Sequence, residues 1–293
     1  MRQRLLLCSL LAVAAVPAFA APIMVNLGSA GSFGLLGGTI SNTGTSVVSG
    51  NVGVNAGGTI TGFNPTGTTV GGSVIPPNST FSNNAYIDFV NAFTAAQMLA
   101  STQSFTDLMT SRTFFGNNVY TFSTPDVSTT TGINLTFDAQ NDPNAVFIIR
   151  TAGAFTANGA LTFTLQNQAQ ASNIYWIVGT IATISVGSSG PITFDGDILA
   201  GQSFTMSAAS GGSGTLAGTI NGCVFAETAN TLAGTTNVNG CSGVAAVPEP
   251  GSSGLVAFGG LLGIFAWVWR KRYLHRVILT IVHQRHHCFH HSG

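Results

Sequence analysis

Four segments between residues 142 and 232 share one loose pattern, and that pattern limits what the chain can fold into. They read Asp142-Pro-Asn-Ala-Val-Phe-Ile-Ile-Arg150, Asn173-Ile-Tyr-Trp-Ile-Val-Gly-Thr180, Gly196-Asp-Ile-Leu-Ala-Gly-Gln202 and Gly222-Cys-Val-Phe-Ala-Glu-Thr228. Each is a short apolar run ending in small or turn residues. Each is followed by a second short piece centred on a threonine: Phe155-Thr156-Ala157, Ala182-Thr183-Ile184, Phe204-Thr205-Met206 and Asn230-Thr231-Leu232. From Thr156 to Thr183, Thr205 and Thr231 the steps are 27, 22 and 26 residues. A repeat of this length, built from strands and Gly/Ser/Asn turns with no helical period, marks a β-solenoid. One coil cannot bury its own apolar face, so the coils must stack.

Charge narrows the functional classes. Residues 21–246 contain two cations, Arg112 and Arg150, and no lysine. Against them stand Asp88, Asp107, Asp126, Asp138, Asp142, Asp195, Asp197 and Glu227, so the body carries a formal charge of −6. Such a body offers no electrostatic footing for nucleic acid or an anionic membrane. Charged residues make up only 6% of the chain, which by itself fits a disordered linker. The apolar content is 45%, arranged in short Ile/Val/Phe strands, and argues for a packed all-β body.

The N-terminus reads as a secretory signal peptide over residues 1–20. Arg2 and Arg4 precede an apolar core, and Ala18-Phe19-Ala20 is the small-residue cleavage site. The mature chain is expected to begin at Ala21. Brief strands punctuated by Asn/Gly turns follow from Asn26, and Pro76-Pro77 stops them. Tyr86, Phe89, Val90, Phe93, Ala96, Gln97 and Ala100 then follow helical spacing, which predicts one amphipathic helix over 82–100 with Ser82 as its N-cap. Its one-sided apolar stripe suits a helix laid along the solenoid. Cys223 and Cys241 are the only cysteines of the mature body, and in a secreted chain they are expected to form a disulfide closing the last coil.

The character changes at Val247, Pro248, Glu249 and Pro250. A Gly/Ser hinge follows, then a nearly wholly apolar run over 255–269, then Arg270, Lys271 and Arg272. The run is shorter than the roughly 20 residues a stable span prefers. The basic cluster marks its cytoplasmic side. Together, 247–272 resembles a PEP-CTERM sorting signal. That resemblance implies cleavage by an exosortase after transient anchoring in the inner membrane, and delivery to the cell surface or an extracellular matrix. A tail over 273–293 holds His275, His283, His286, His287, His290, His291 and Cys288. Its spacing suits a transition metal, but it is read as a remnant discarded with the signal, and no metal site is assigned.

The body resembles the ice-binding-protein-like β-solenoid family over about residues 26–241. The matching pieces are Asn26-Leu-Gly-Ser-Ala-Gly-Ser-Phe33, Ile40-Ser-Asn-Thr-Gly44, Gly50-Asn-Val-Gly-Val54, Asp142-Pro-Asn-Ala-Val-Phe147 and Gln170-Ala-Ser-Asn-Ile-Tyr-Trp176. The resemblance implies a right-handed, roughly triangular β-solenoid over 21–246 with one long α-helix packed alongside. It also implies ice binding without catalysis or cofactor, by a secreted monomer whose partner is an ice crystal surface. A structural or adhesive matrix protein with the same fold is the second reading.

The candidate ice face comes from the period of two along a strand. In Phe204-Thr205-Met206 the apolar flanks point inward, so Thr205 points outward, and the same reasoning places Thr156, Thr183 and Thr231 on one face. Thr162, Thr164 and Thr193 mark an alternative face. Ordinary β-surface explains the threonines equally simply, because Thr suits a half-exposed pleat. For an enzyme little is available. Residues 21–246 contain no histidine, which excludes a Ser-His-Asp or Cys-His site there. Asp195 and Asp197 flank Gly196 and could form a carboxylate pair or calcium site, but a pair of turn acids between coils is expected.

Overall fold

The computed structural model describes residues 23–63, 68–130, 132–186, 190–207 and 216–241. The expected signal peptide, the sorting motif and the histidine tail lie outside them. Among the described residues no helix is long and apolar enough to cross a membrane.

The body is a solenoid of parallel strands with three faces. The two pieces of each sequence repeat become strands on two different faces, and this explains why they differ in composition. The first pieces, Phe147–Thr151, Ile174–Val178 and Asp197–Ala200, pair in register with one another. They are almost wholly buried, because the core covers one side and a helix covers the other. A strand covered on both sides needs a continuous apolar run rather than alternation. The second pieces, Phe155–Asn158, Ile181–Ser185 and Ser203–Ser207, alternate between buried and half-exposed residues, since one side meets water. The third face is two separate sheets. One holds Arg112–Phe115, Asn134–Asp138 and Thr162–Gln166; the other runs from Ile192–Asp195 through Leu216–Asn221, Thr235–Val238 and Val47–Ser49 to Thr68–Val70.

Aromatic rings fill the core of the earlier coils. Phe114 stacks on Phe137 at 4.9 Å between centroids, Phe155 on Trp176 at 4.9 Å, and Phe194 lies 5.1 Å from Trp176. Polar turn side chains stack at the corners as well. Asn239 donates to Asn221 and Asn221 to Asp195, both at 2.7 Å, so each coil hydrogen-bonds the next.

The coils do not stack in chain order. Phe33–Asn42 lies between Val224–Leu232 and Asn51–Thr61, parallel to both, and Val47–Ser49 pairs with Thr235–Val238. The two N-terminal coils therefore extend the C-terminal end of the stack. The helix Thr80–Met98 returns the chain to the opposite end, where Gln103–Phe105 begins the stack. At 1.5 Å per residue its 19 residues span about 28 Å, about six strand spacings. Its length thus follows from its task as a connection.

Two expectations about this region are corrected. The helix begins at Thr80, with extended Ser79 as its boundary residue, and ends at Met98. Ser82 is a buried residue of the first turn whose hydroxyl donates to the Ser79 carbonyl at 3.2 Å. The boundary moves because Pro77 is followed by Asn78 in the left-handed region (φ 67°), which turns the chain directly into the helix. Phe89, Ala92, Phe93 and Ala96 face the solenoid, with Phe89 5.5 Å from Phe225, edge to face. Arg150 holds the other end: its Nη1 donates to the carbonyls of Ala96, Gln97 and Leu99 at 3.3, 2.6 and 2.6 Å. The Ala96 carbonyl also accepts the Leu99 N–H, while a helix C-terminus leaves its last carbonyls in need of such donors.

The second correction concerns the cysteines. Cys223 and Cys241 are bonded, with Cα atoms 4.6 Å apart. The coil they close is last in sequence but internal in space, because Thr235–Val238 has Leu216–Asn221 on one side and Val47–Ser49 on the other. The bond clasps the seam where the N-terminal coils dock.

Candidate functional site

On the second face the register aligns the four threonines without a slip. Thr156 pairs with Thr183, Thr183 with Thr205, and Thr205 with Thr231. The flanking residues point inward, as Phe155, Ala157, Ala182, Ile184, Phe204, Met206 and Leu232 are all 0–1% exposed. Asn230 takes the same inward place in its coil, where its side-chain amide donates to the Leu36 carbonyl at 2.9 Å. All four threonines are half-exposed.

The column is longer than the sequence pattern revealed. Thr231 pairs with Ser41 and Ser41 with Thr61, while Ser128 pairs with Thr156 at the other end. Seven hydroxyl residues thus form one row of six steps, about 29 Å at the usual strand spacing. Ile40 and Ile60 carry the same signal of an inward apolar residue before an outward hydroxyl. It was obscured because Asn42 and Gly62 follow where the later coils have an apolar residue. Beside this row run Ile181, Ser203, Ala229, Thr39 and Thr59, again paired in register. Both rows are made of small or β-branched side chains without charge.

The hydroxyls differ in availability. Among the described residues, those of Thr156, Thr183, Thr205 and Thr231 make no hydrogen bond within the protein, and half-exposure leaves them to solvent. Thr61 donates to the Ile40 carbonyl at 3.3 Å. On the alternative face Thr162 donates to the Ile133 carbonyl and to Asn134 Oδ1, and Thr164 donates to the same Asn134 oxygen. Thr193 belongs to the other sheet of that face, with no ladder between Thr162–Gln166 and Ile192–Asp195. A shallow cavity of about 340 Å³ lined by Leu161, Phe163, Ile192 and Asp195 opens at this break. The remaining face lies under the helix. Among the described residues only the threonine-bearing face is both continuous and uncovered.

Asp195 and Asp197 are separated by the corner at Gly196, whose φ of 115° favours glycine and where a Cβ would stand 2.8 Å from the Ile174 carbonyl. Both acids are buried, at 7% and 1% exposure. Asp195 accepts from Asn221 at 2.7 Å and Asp197 from the Cys223 backbone N–H at 2.9 Å. Burial raises the Asp195 carboxyl above its ordinary range, opposed by the Asn221 hydrogen bond. Burial pushes Asp197 up to about 7, opposed by the Cys223 N–H. They tie successive coils together as turn acids.

Comparison with known proteins agrees with this architecture. Residues 35–239 match the family model described as Ice-binding-like, and residues 246–272 match the PEP-CTERM protein-sorting motif. The chain is 32% identical over 252 residues to an ice-binding protein of Nostoc sp. (strain HG1), covering 84% of this chain and 87% of that one. The crystal structure of an ice-binding protein from the Antarctic ascomycete Antarctomyces psychrotrophicus is similar with a TM-score of 0.63 at 29% identity, covering 75% of this chain and 99% of that chain. An ice binding protein from an Antarctic biological consortium gives 0.62 at 25% identity, covering 76% and 93%. With the parallel coils, the side helix and a family match across nearly all the described residues, the chain belongs to the ice-binding-like family.

Proposed function

We propose that this protein binds ice through the face carrying Thr156, Thr183, Thr205 and Thr231, without catalysis or cofactor. The observation that carries this reading is the unbroken register of those four residues, with hydroxyls not engaged within the protein. A row of this kind presents a methyl and a hydroxyl at every strand spacing. The methyls shelter the hydroxyl contacts, and the regular spacing orders water beside them. Ser41, Thr61 and Ser128 extend the same surface. Family membership supports ice as the partner, and the hydrogen bonds of the acids at Gly196 support a structural role for them.

The binding depends on the flatness of the row more than on any one hydroxyl. Thr205→Tyr, near the middle, is expected to abolish thermal hysteresis and inhibition of ice recrystallisation. It should leave stability within about 0.5 kcal/mol, as surface changes usually do. Thr205→Ser should weaken activity only partly. Full activity in the tyrosine variant would move the site to the face of Thr162, Thr164 and Thr193.

The sorting motif supports a secreted monomer that is anchored briefly by residues 255–269 and released at the cell surface or into the matrix. Signal peptidase and exosortase act on its two ends. Mass spectrometry of the protein from its native host should find no peptide before Ala21 and none beyond about Glu249; an extracellular product ending in the histidine tail would overturn this maturation. A matrix or adhesive role on the same fold is favoured by the sorting motif alone, and an unmutated body inactive toward ice would leave it as the function.

A further inference from the structure

On the helix-covered face one outward row runs through Val119, Ile148, Tyr175 and Asp197 by register, and Cys223 follows it. The first three members are apolar or aromatic and belong to the cluster packed beneath the helix. The row then becomes a carboxylic acid and a half-cystine under the same cover. Asp197 is 1% exposed, and among the described residues its carboxylate takes one hydrogen bond, from the Cys223 N–H. One neutral donor does not offset the desolvation of a carboxylate. The preceding coils carry Ile148 and Tyr175 at this position of the row. Meanwhile a carboxylate oxygen of Asp197 and the sulfurs of Cys223 and Cys241 all lie within 4.8 Å of one another.

We propose that, once the Cys223–Cys241 bond is opened, these three side chains bind one divalent cation of the zinc class, which then clasps the seam in place of the disulfide. Opening takes two electrons from a dithiol reductant, which becomes a cyclic disulfide, while its two protons end on the two cysteine sulfurs. The cation displaces those protons to solvent and binds two thiolates and the carboxylate. Zinc takes sulfur at about 2.3 Å and carboxylate oxygen at about 2.0–2.2 Å, so side-chain rotation suffices to close the site around it. Three protein ligands leave the fourth position to water, and Cys241, half-buried, gives the ion its way in. Two thiolates select zinc or cadmium over calcium and magnesium.

The test uses the full chain carrying Cys8→Ser and Cys288→Ser, so that the two remaining cysteines are the pair in question. Cadmium is titrated into oxidised and dithiol-reduced protein after the reductant is removed. The histidine tail behaves alike in both, so the difference reports the site. Reduced protein should develop a thiolate–cadmium charge-transfer band saturating at one ion per chain, with its melting temperature returning toward the oxidised value. Cys223→Ser should abolish the band, and Asp197→Asn should weaken binding by about tenfold or more. A folded reduced protein without the band, or Asp197→Asn binding as tightly as the parent, overturns the proposal. If reduced Asp197→Asn does not fold, X-ray absorption on the zinc-loaded parent decides. It must show two sulfurs at about 2.3 Å, and one or none overturns the proposal.

Discussion

At Asp197 burial holds the carboxyl at about 7 against an ordinary value of 3.8, with the Cys223 N–H pulling the other way. Between those two values the folded chain keeps a proton that the unfolded chain releases. Stability therefore falls as pH rises through that window, because the folded state binds more protons there. Asp195 adds in the same direction. The melting temperature of the body should consequently rise as the pH is lowered from 7.5 to 5, and Asp197→Asn should flatten most of that slope. A slope of opposite sign, or one unchanged in the variant, would contradict the assignment. At this scale the sequence was legible wherever a threonine had apolar neighbours on both sides, as at Thr183 and Thr205. It was less legible at Ser41 and Thr61, where Asn42 and Gly62 occupy the inward place. Nothing in the sequence distinguishes Asp197 from an ordinary turn acid, since its burial depends on a helix and a coil far away in the chain.

Among the elements, the helix Thr80–Met98 is held at its middle and at its C-terminal end by different means. At its middle Asp88 Oδ2 accepts from the Ser29 N–H and hydroxyl at 2.8 and 2.6 Å, tying it to the N-terminal segment. Tyr86 donates to the Glu227 carbonyl at 2.8 Å, and Arg150 takes the carbonyls of the last turn. Between these ties Phe89 is fully buried against Phe225. Phe89→Ala should cost about 3–5 kcal/mol by leaving a cavity between helix and sheet. An unchanged melting temperature would mean that the helix does not cover the core. The stripe that predicts this helix was readable because Phe89, Phe93 and Ala96 recur at helical spacing. Its start was misread because Ser82 resembles a cap, while the turn that decides the boundary depends on a left-handed Asn78.

For the molecule as a whole, the order of the coils was the illegible part. Parallel pairing of Phe33–Asn42 with Val224–Leu232 joins residues roughly 190 positions apart, and no local pattern encodes that choice. The disulfide at this seam closes a loop of sequence separation 18 and should contribute about 2–4 kcal/mol. Cys241→Ser in the absence of metal should lower stability by that amount, measured by chemical denaturation. It should also open Thr235–Val238 to amide hydrogen exchange before the coils of Phe147–Thr151 and Ile174–Val178.

The permuted order of the coils also sets a timetable for their pairing. The first two coils are made long before the C-terminal strands against which they stack. Phe33–Asn42 can pair with Asn51–Thr61 at once but must wait about 190 residues for Val224–Leu232, as Val47–Ser49 waits for Thr235–Val238. Contacts this distant in sequence form slowly, and unpaired strand edges invite association in the interval. The residues that end the wait come immediately before Val247-Pro-Glu-Pro250 and its apolar run. The PEP-CTERM motif over residues 246–272 is therefore synthesised just after the coil that completes the fold, so any processing it directs follows the synthesis of that coil.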